Sequence, residues 1–180
     1  MRGLIVAILA LLSSGTWAQG VTICYDYGCA VQAQVTFDAD NLAEIDALFD
    51  DDNNAALERA SIQLAVGLMN HIAGQQTPIH NDKGGNYADD GVEGRMDCID
   101  HSRTTTAYLK FLAARGLLRF HRVLEPIRRA PLLVDEHWSA RIEEKATGAQ
   151  YAVDSWFFDN GEPAAIFPLK TWLKGATPDD

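Results

Sequence analysis

The chain has 180 residues, 22% of them charged and 47% hydrophobic, with a net charge of −10. That is enough apolar material for a core, which excludes a disordered chain, and the length fits one domain. The negative balance excludes a nucleic-acid-binding module and a protein that docks on anionic membrane, since both need Lys and Arg to meet phosphate.

Residues 1–18 read as a secretory signal peptide. Arg2 is the charged start, Leu4 to Leu12 is an apolar run of nine residues, and Thr16-Trp17-Ala18 offers a small-x-small cleavage site. Such a run is too short to span a bilayer core of roughly 30 Å. Residues 19–180 are then expected to form a single domain in the periplasm or outside the cell, with no membrane span. An exported compartment is oxidising, so cysteines there tend to pair. Cys24 and Cys29 flank the turn-like Tyr25-Asp26-Tyr27-Gly28, and their pairing is the simplest disulfide. A redox role for this pair is disfavoured, because oxidoreductases use the shorter Cys-x-x-Cys spacing. Cys98 is left over, as either a reactive thiol or a small buried hydrophobe.

Along the chain, alternating apolar residues predict short strands through Val35 and Phe37. Asp38 and Asp40 precede a helical pattern of Leu42, Ile45, Leu48 and Phe49. A polar break over 50–54 follows. A longer helix is expected over 55–73, with Leu57, Ile62, Leu64, Ala65, Leu68, Met69 and Ile72 facing the core and Gly74 as its cap. Residues 75–95 form a long loop with His80, Asp82, Asn86, Asp89 and Asp90, in no recognised metal-binding spacing. Another helix is expected from Cys98 to about Arg115, closed by Gly116. Three strands are expected after it, over 117–124, 134–142 and 151–158, then a short terminal helix within 168–174. Helices first and strands after predict an α+β fold, with a small antiparallel sheet packed on the helix that Cys98 opens.

Three residues in this layout carry chemistry. Cys98 opens a helix, where unpaired N–H groups and the dipole favour a thiolate. His137 and Asp154 lie in two successive strands with an even number of residues between them. A hairpin with an even loop then puts both on one face, so that the carboxylate can orient the imidazole. His137 would take the thiol proton, Asp154 would hold the ring, and the thiolate would attack a carbonyl to form a thioester. The Cys98 N–H would serve the oxyanion, with Gln75, Gln76, Asn86 or Tyr87 as second donor.

At these residues the chain resembles the transglutaminase-like cysteine peptidase superfamily, and among its members the bacterial transglutaminase-like cysteine proteinases. Their nucleophile opens a helix in a segment of the type Gly-Asp-Cys-Glu-Asp; the same place reads Met96-Asp97-Cys98-Ile99-Asp100. The segments Ala114-Arg115-Gly116-Leu117, His137-Trp138-Ser139-Ala140 and Tyr151-Ala152-Val153-Asp154-Ser155 are similar to the family pattern, in the same order. The resemblance spans roughly residues 97–158. It implies a papain/transglutaminase-like fold and a cysteine peptidase, amidase or acyltransferase acting on a protein or peptide, with no cofactor. Some members bind calcium through acidic residues around the nucleophile. Ile99 replaces one of these, while Asp97 and Asp100 remain as calcium candidates or as a helix capping box. Two carboxylates beside Cys98 oppose a thiolate unless they face solvent or are neutralised by His101, Arg103 or a cation.

Other readings are a non-catalytic binding protein of the same fold, and a serine nucleophile at Ser102 or Ser155. Neither serine sits in a Gly-x-Ser-x-Gly elbow. His101 is expected on a solvated first helical turn, and His121 as a structural residue. Trp138 and Trp156 are expected as core aromatics that also wall a substrate cleft. His71 and His80 have no identifiable partner.

Overall fold

The structure, a computed structural model, describes residues 19–130 and 136–178. The expected signal peptide lies outside the described residues. Strands β1 (Gln19–Tyr25) and β2 (Val31–Phe37) form an antiparallel hairpin whose inward side chains Val21, Ile23, Val35 and Phe37 are buried. Helix α1 (Ala39–Ala47) starts at Asp38, whose carboxylate accepts the Asn41 N–H in a capping box. Helix α2 (Ala55–Gly74) starts at Asn54, whose side chain accepts the N–H groups of Ala56 and Leu57. It runs through Gly74 and is capped by Gln75.

Two residues expected inside α2's core face are outside it. Leu57 and Leu64 are 43% and 48% exposed, while Glu58 is fully buried. The cause is a polar cluster. Glu58 accepts the backbone N–H groups of Arg119, Phe120 and His121 and pairs with the His121 ring at 2.8 Å. A buried carboxylate needs such partners, so this cluster sets the rotation of the helix against the apolar count. His121 is structural here, as its sequence setting suggested.

Helix α3 (Cys98–Ala114) lies at the centre, against β1 on one side and a four-stranded sheet on the other. That sheet runs β3 (His121–Arg129), β4 (His137–Glu144), β5 (Gln150–Asp154) and β6 (Ala165–Pro168), antiparallel in that order. Helix α4 (Leu169–Trp172) follows β6. Among the described residues the architecture is therefore mixed α+β, four helices with two small antiparallel sheets.

The strand limits differ from expectation. The strand expected over 117–124 begins at His121, because Leu118 is spent on the core before the ladder starts. The register of β3 on β4 shifts between Leu124 and Ile127, where Pro126 has no N–H to give. The expected start of β4 at Val134 lies outside the described residues. β5 stops at Asp154, because the chain turns and the Trp156 carbonyl accepts from Gly85 instead. β6 was not foreseen.

Candidate active site

Asp97 caps α3. Its carboxylate accepts the Asp100 N–H at 2.8 Å, and the Asp100 carboxylate returns the contact to the Asp97 N–H at 3.2 Å. This capping box makes Cys98 the first helical residue, where backbone N–H groups have no acceptor within the helix. The thiol is free of the disulfide and half-buried.

His137 and Asp154 are brought together by strand register. Ala140 lies opposite Val153, so the next step sets Ser139 opposite Asp154, and His137 shares that face one pair away. The imidazole Nε2 lies 2.7 Å from Asp154 Oδ2, and both side chains are buried. The Cys98 side chain is close enough to the ring to favour its charged form. Burial works against charge on this ring. The bond to Asp154 and the influence of the Asp154 and Cys98 side chains outweigh it and push the imidazole from 6.5 up to about 9. Of the three residues singled out by sequence, His137 and Asp154 are hydrogen-bonded, and Cys98 stands at the helix start near the ring.

Aromatic rings enclose the imidazole. Trp156, Phe157 and Trp172 have centroids 4.9, 5.7 and 5.8 Å from it. Tyr87 stands edge-on to Trp156 at 4.9 Å and is 73% exposed. Its loop is held against this wall by a close backbone approach. A Cβ at Gly84 would lie 2.4 Å from the Phe157 carbonyl oxygen. Of the four candidate oxyanion donors, Gln76 is bonded to Thr36, Gln75 to His71 and Asn86 to Asp89, and only Tyr87 touches the aromatic wall. Trp138 does not join this wall; its indole N–H donates to Glu136.

The carboxylates beside Cys98 are hydrogen-bonded by a partner that sequence reasoning missed. Asp26, Tyr27, Gly28 and Cys29 all have φ near +62 to +64°, one turn of left-handed backbone, and the Cys24–Cys29 disulfide closes it. Three of the four are not glycine, at a cost of about 1–2 kcal/mol each. The successive N–H groups of Tyr27, Gly28 and Cys29 donate to Asp100 Oδ2, Asp97 Oδ2 and Asp100 Oδ1. This is an anion-binding nest of backbone dipoles. Burial and the Asp97 charge still push the Asp100 carboxyl from 3.8 up to about 6, against these bonds. All four carboxylate oxygens of Asp97 and Asp100 accept backbone N–H groups. Among the described residues no group of three or more His, Cys, Asp or Glu is placed to hold a metal.

His101 is not solvated. It is 3% exposed, one turn beyond Cys98 on α3. Its Nδ1 lies 2.9 Å from Ser155 Oγ, and Thr105 Oγ1 lies 2.9 Å from the same hydroxyl. Its Nε2 lies 3.0 Å from Asp82 Oδ2, off the line of a good hydrogen bond. Asp82 Oδ1 accepts the Met96 N–H at 2.9 Å. Ser155 therefore sits in a Ser–His–Asp order, but it is only 6% exposed. The cluster ties the residues just before Cys98 to the residue just after Asp154. Ser102 donates to the Ile99 carbonyl within α3. His71 and His80 have local partners, Gln75 and the Thr77 carbonyl.

No helix among the described residues is long and apolar enough to cross a membrane. Compared with known proteins, the chain matches no family model, no curated protein and no solved structure.

Proposed function

We propose that this chain is an exported cysteine hydrolase, a peptidase or amidase with a papain/transglutaminase-like arrangement of nucleophile helix and antiparallel sheet. The observation that carries the reading is the imidazole of His137. It is bonded to Asp154 at 2.7 Å, it is held in its charged form by Asp154 and the nearby Cys98 side chain, and that thiol opens a helix. A buried ring held in its charged form next to a thiol is the setting of a thiolate–imidazolium pair.

The chemistry follows from those contacts. The Cys98 sulfur attacks the carbonyl carbon of a peptide or amide substrate. The carbonyl electrons move to oxygen, which the Cys98 backbone N–H receives at the helix start. The C–N bond breaks as the imidazolium gives its proton to the departing amine, which leaves a thioester. Water, deprotonated by the now neutral ring, then cleaves the thioester and restores the thiol. Asp154 keeps the ring oriented and balances its charge throughout. The aromatic rings around His137 limit water around the pair and strengthen its electrostatics. The Cys24–Cys29 disulfide supports a periplasmic or secreted setting.

The test is labelling of Cys98 by iodoacetamide against pH, followed by mass spectrometry, together with cleavage of a protein substrate pool. Wild-type protein is expected to label at mildly acidic pH, and His137→Ala is expected to move labelling to the ordinary thiol range near ~8.5. Identical profiles in the two proteins would overturn the triad and leave a binding protein of the same fold.

A further inference from the structure

Asp154 Oδ2 receives two donors. One is His137 Nε2, at 2.7 Å, and the other is the indole Nε1–H of Trp172, at 2.8 Å. The second oxygen, Oδ1, takes only a longer bond from the Trp156 backbone N–H at 3.3 Å. A buried indole N–H needs an acceptor, and a backbone carbonyl would serve it as well. Here it spends its proton on the carboxylate that holds the imidazole.

Trp172 is held in place from the other side. It is fully buried, at the end of a helix of one turn that has no side-chain cap. Arg129, itself 5% exposed, lays its guanidinium over the indole at 4.8 Å from the centroid. Its Nη1 donates to the carbonyls of Trp172 at 2.8 Å and Ala176 at 3.0 Å. Arg129 is also the residue directly opposite His137 in the β3–β4 register. The imidazole and the indole are thus fixed through one cross-strand pair, and both aim at the same oxygen.

We propose that Trp172, clamped by Arg129, is a positioning residue of the site, acting on His137 through Asp154. The inference rests on the hydrolase reading above. Its indole N–H fixes the plane of the carboxylate and draws charge from Oδ2. With that donor in place, Asp154 holds the imidazolium proton less tightly, and the ring gives it more readily to a leaving amine. With the donor removed, the carboxylate attracts the ring proton more strongly, and the imidazolium persists to higher pH.

The test uses the anionic reagent iodoacetate. Its reaction with Cys98 needs the thiolate and is helped by the neighbouring positive ring, so the rate falls as the imidazolium loses its proton. Trp172→Phe keeps the ring and deletes the N–H. The upper limb of the profile is expected to move up by about 0.5–1 pH unit, with thermal stability held within a few degrees. An unmoved or lowered limb in a folded variant would overturn the proposal. Should Trp172→Phe fail to fold, the indole N–H resonance of Trp172 in wild-type protein decides. It is expected to titrate with the same midpoint as the upper limb, and a resonance flat across that range would overturn the proposal. A wild-type profile with no upper limb would instead overturn the thiolate–imidazolium reading itself.

Discussion

Replacing Asp154 by Asn keeps the shape of the carboxylate and deletes its charge. The wild-type imidazole stands at about 9 against an ordinary 6.5, a preference for the charged ring of about 3 kcal/mol at 1.36 kcal/mol per pH unit. Burial of the ring opposes that preference, so the partners supply all of it, and the Asp154 bond leads among them. Asp154→Asn is therefore expected to lower the upper limb of the iodoacetate profile by about 1–2 pH units. The same preference is folding stability. The folded value lies above the unfolded one, so the contribution is complete below pH 6.5 and is lost as pH rises through about 9. Denaturant titrations from pH 6 to 10 should show wild-type stability falling across that window and Asp154→Asn following a flatter course. An upper limb still near 9 in Asp154→Asn would refute the assignment of the carboxylate as the source of the charge on His137.

Three further outcomes are expected. Replacing both Cys24 and Cys29 by Ser opens a short loop and should cost about 2 kcal/mol in urea unfolding. It should also slow Cys98 labelling at neutral pH, because the Asp97 and Asp100 charges lose their backbone donors; unchanged labelling would separate the turn from the site. His101→Ala leaves Asp82 and Ser155 buried beside a cavity and should lower stability by about 2–3 kcal/mol, read by thermal melting; a neutral result would mean that the cluster is not a clasp. Gly84→Ala forces the loop off the Phe157 carbonyl and should cost about 1–3 kcal/mol, with faster proteolysis at residues 84–95 as the cleaner readout.

The members of the array were legible in sequence because each rests on a local rule. Asp97 with Asp100 marks a helix start, and the spacing of His137 and Asp154 fixes a shared face once the strands pair. What supports them was not legible. His101 looks solvated from its neighbours, and only folding brings Asp82 and Ser155 to its two nitrogens. Trp172 lies in a short helix whose role depends on a β3 arginine far away in sequence. β6 is four residues long and ends in Pro168, too short for an alternating pattern to declare itself. Leu57 and Leu64 satisfy helical periodicity, yet a buried glutamate outranked them. The turn closed by Cys24 and Cys29 was legible, but not its left-handed backbone, because three of the four residues are not glycine and the usual signal for positive φ is weak.

That turn has a consequence for the order in which the molecule assembles. The donors at 27–29 and the acceptors at 97 and 100 are about seventy residues apart, and the thiol, imidazole, carboxylate and indole follow at 98, 137, 154 and 172. A chain synthesised from its N-terminus therefore holds the backbone donors before the acidic flanks of the thiol exist, and His137 follows only much later. Contacts of such long range carry a loop-closure entropy that local helices and hairpins do not, and they slow folding. The site thus depends on pairings of long sequence separation, and the segment around Trp172 is the last of them to be synthesised.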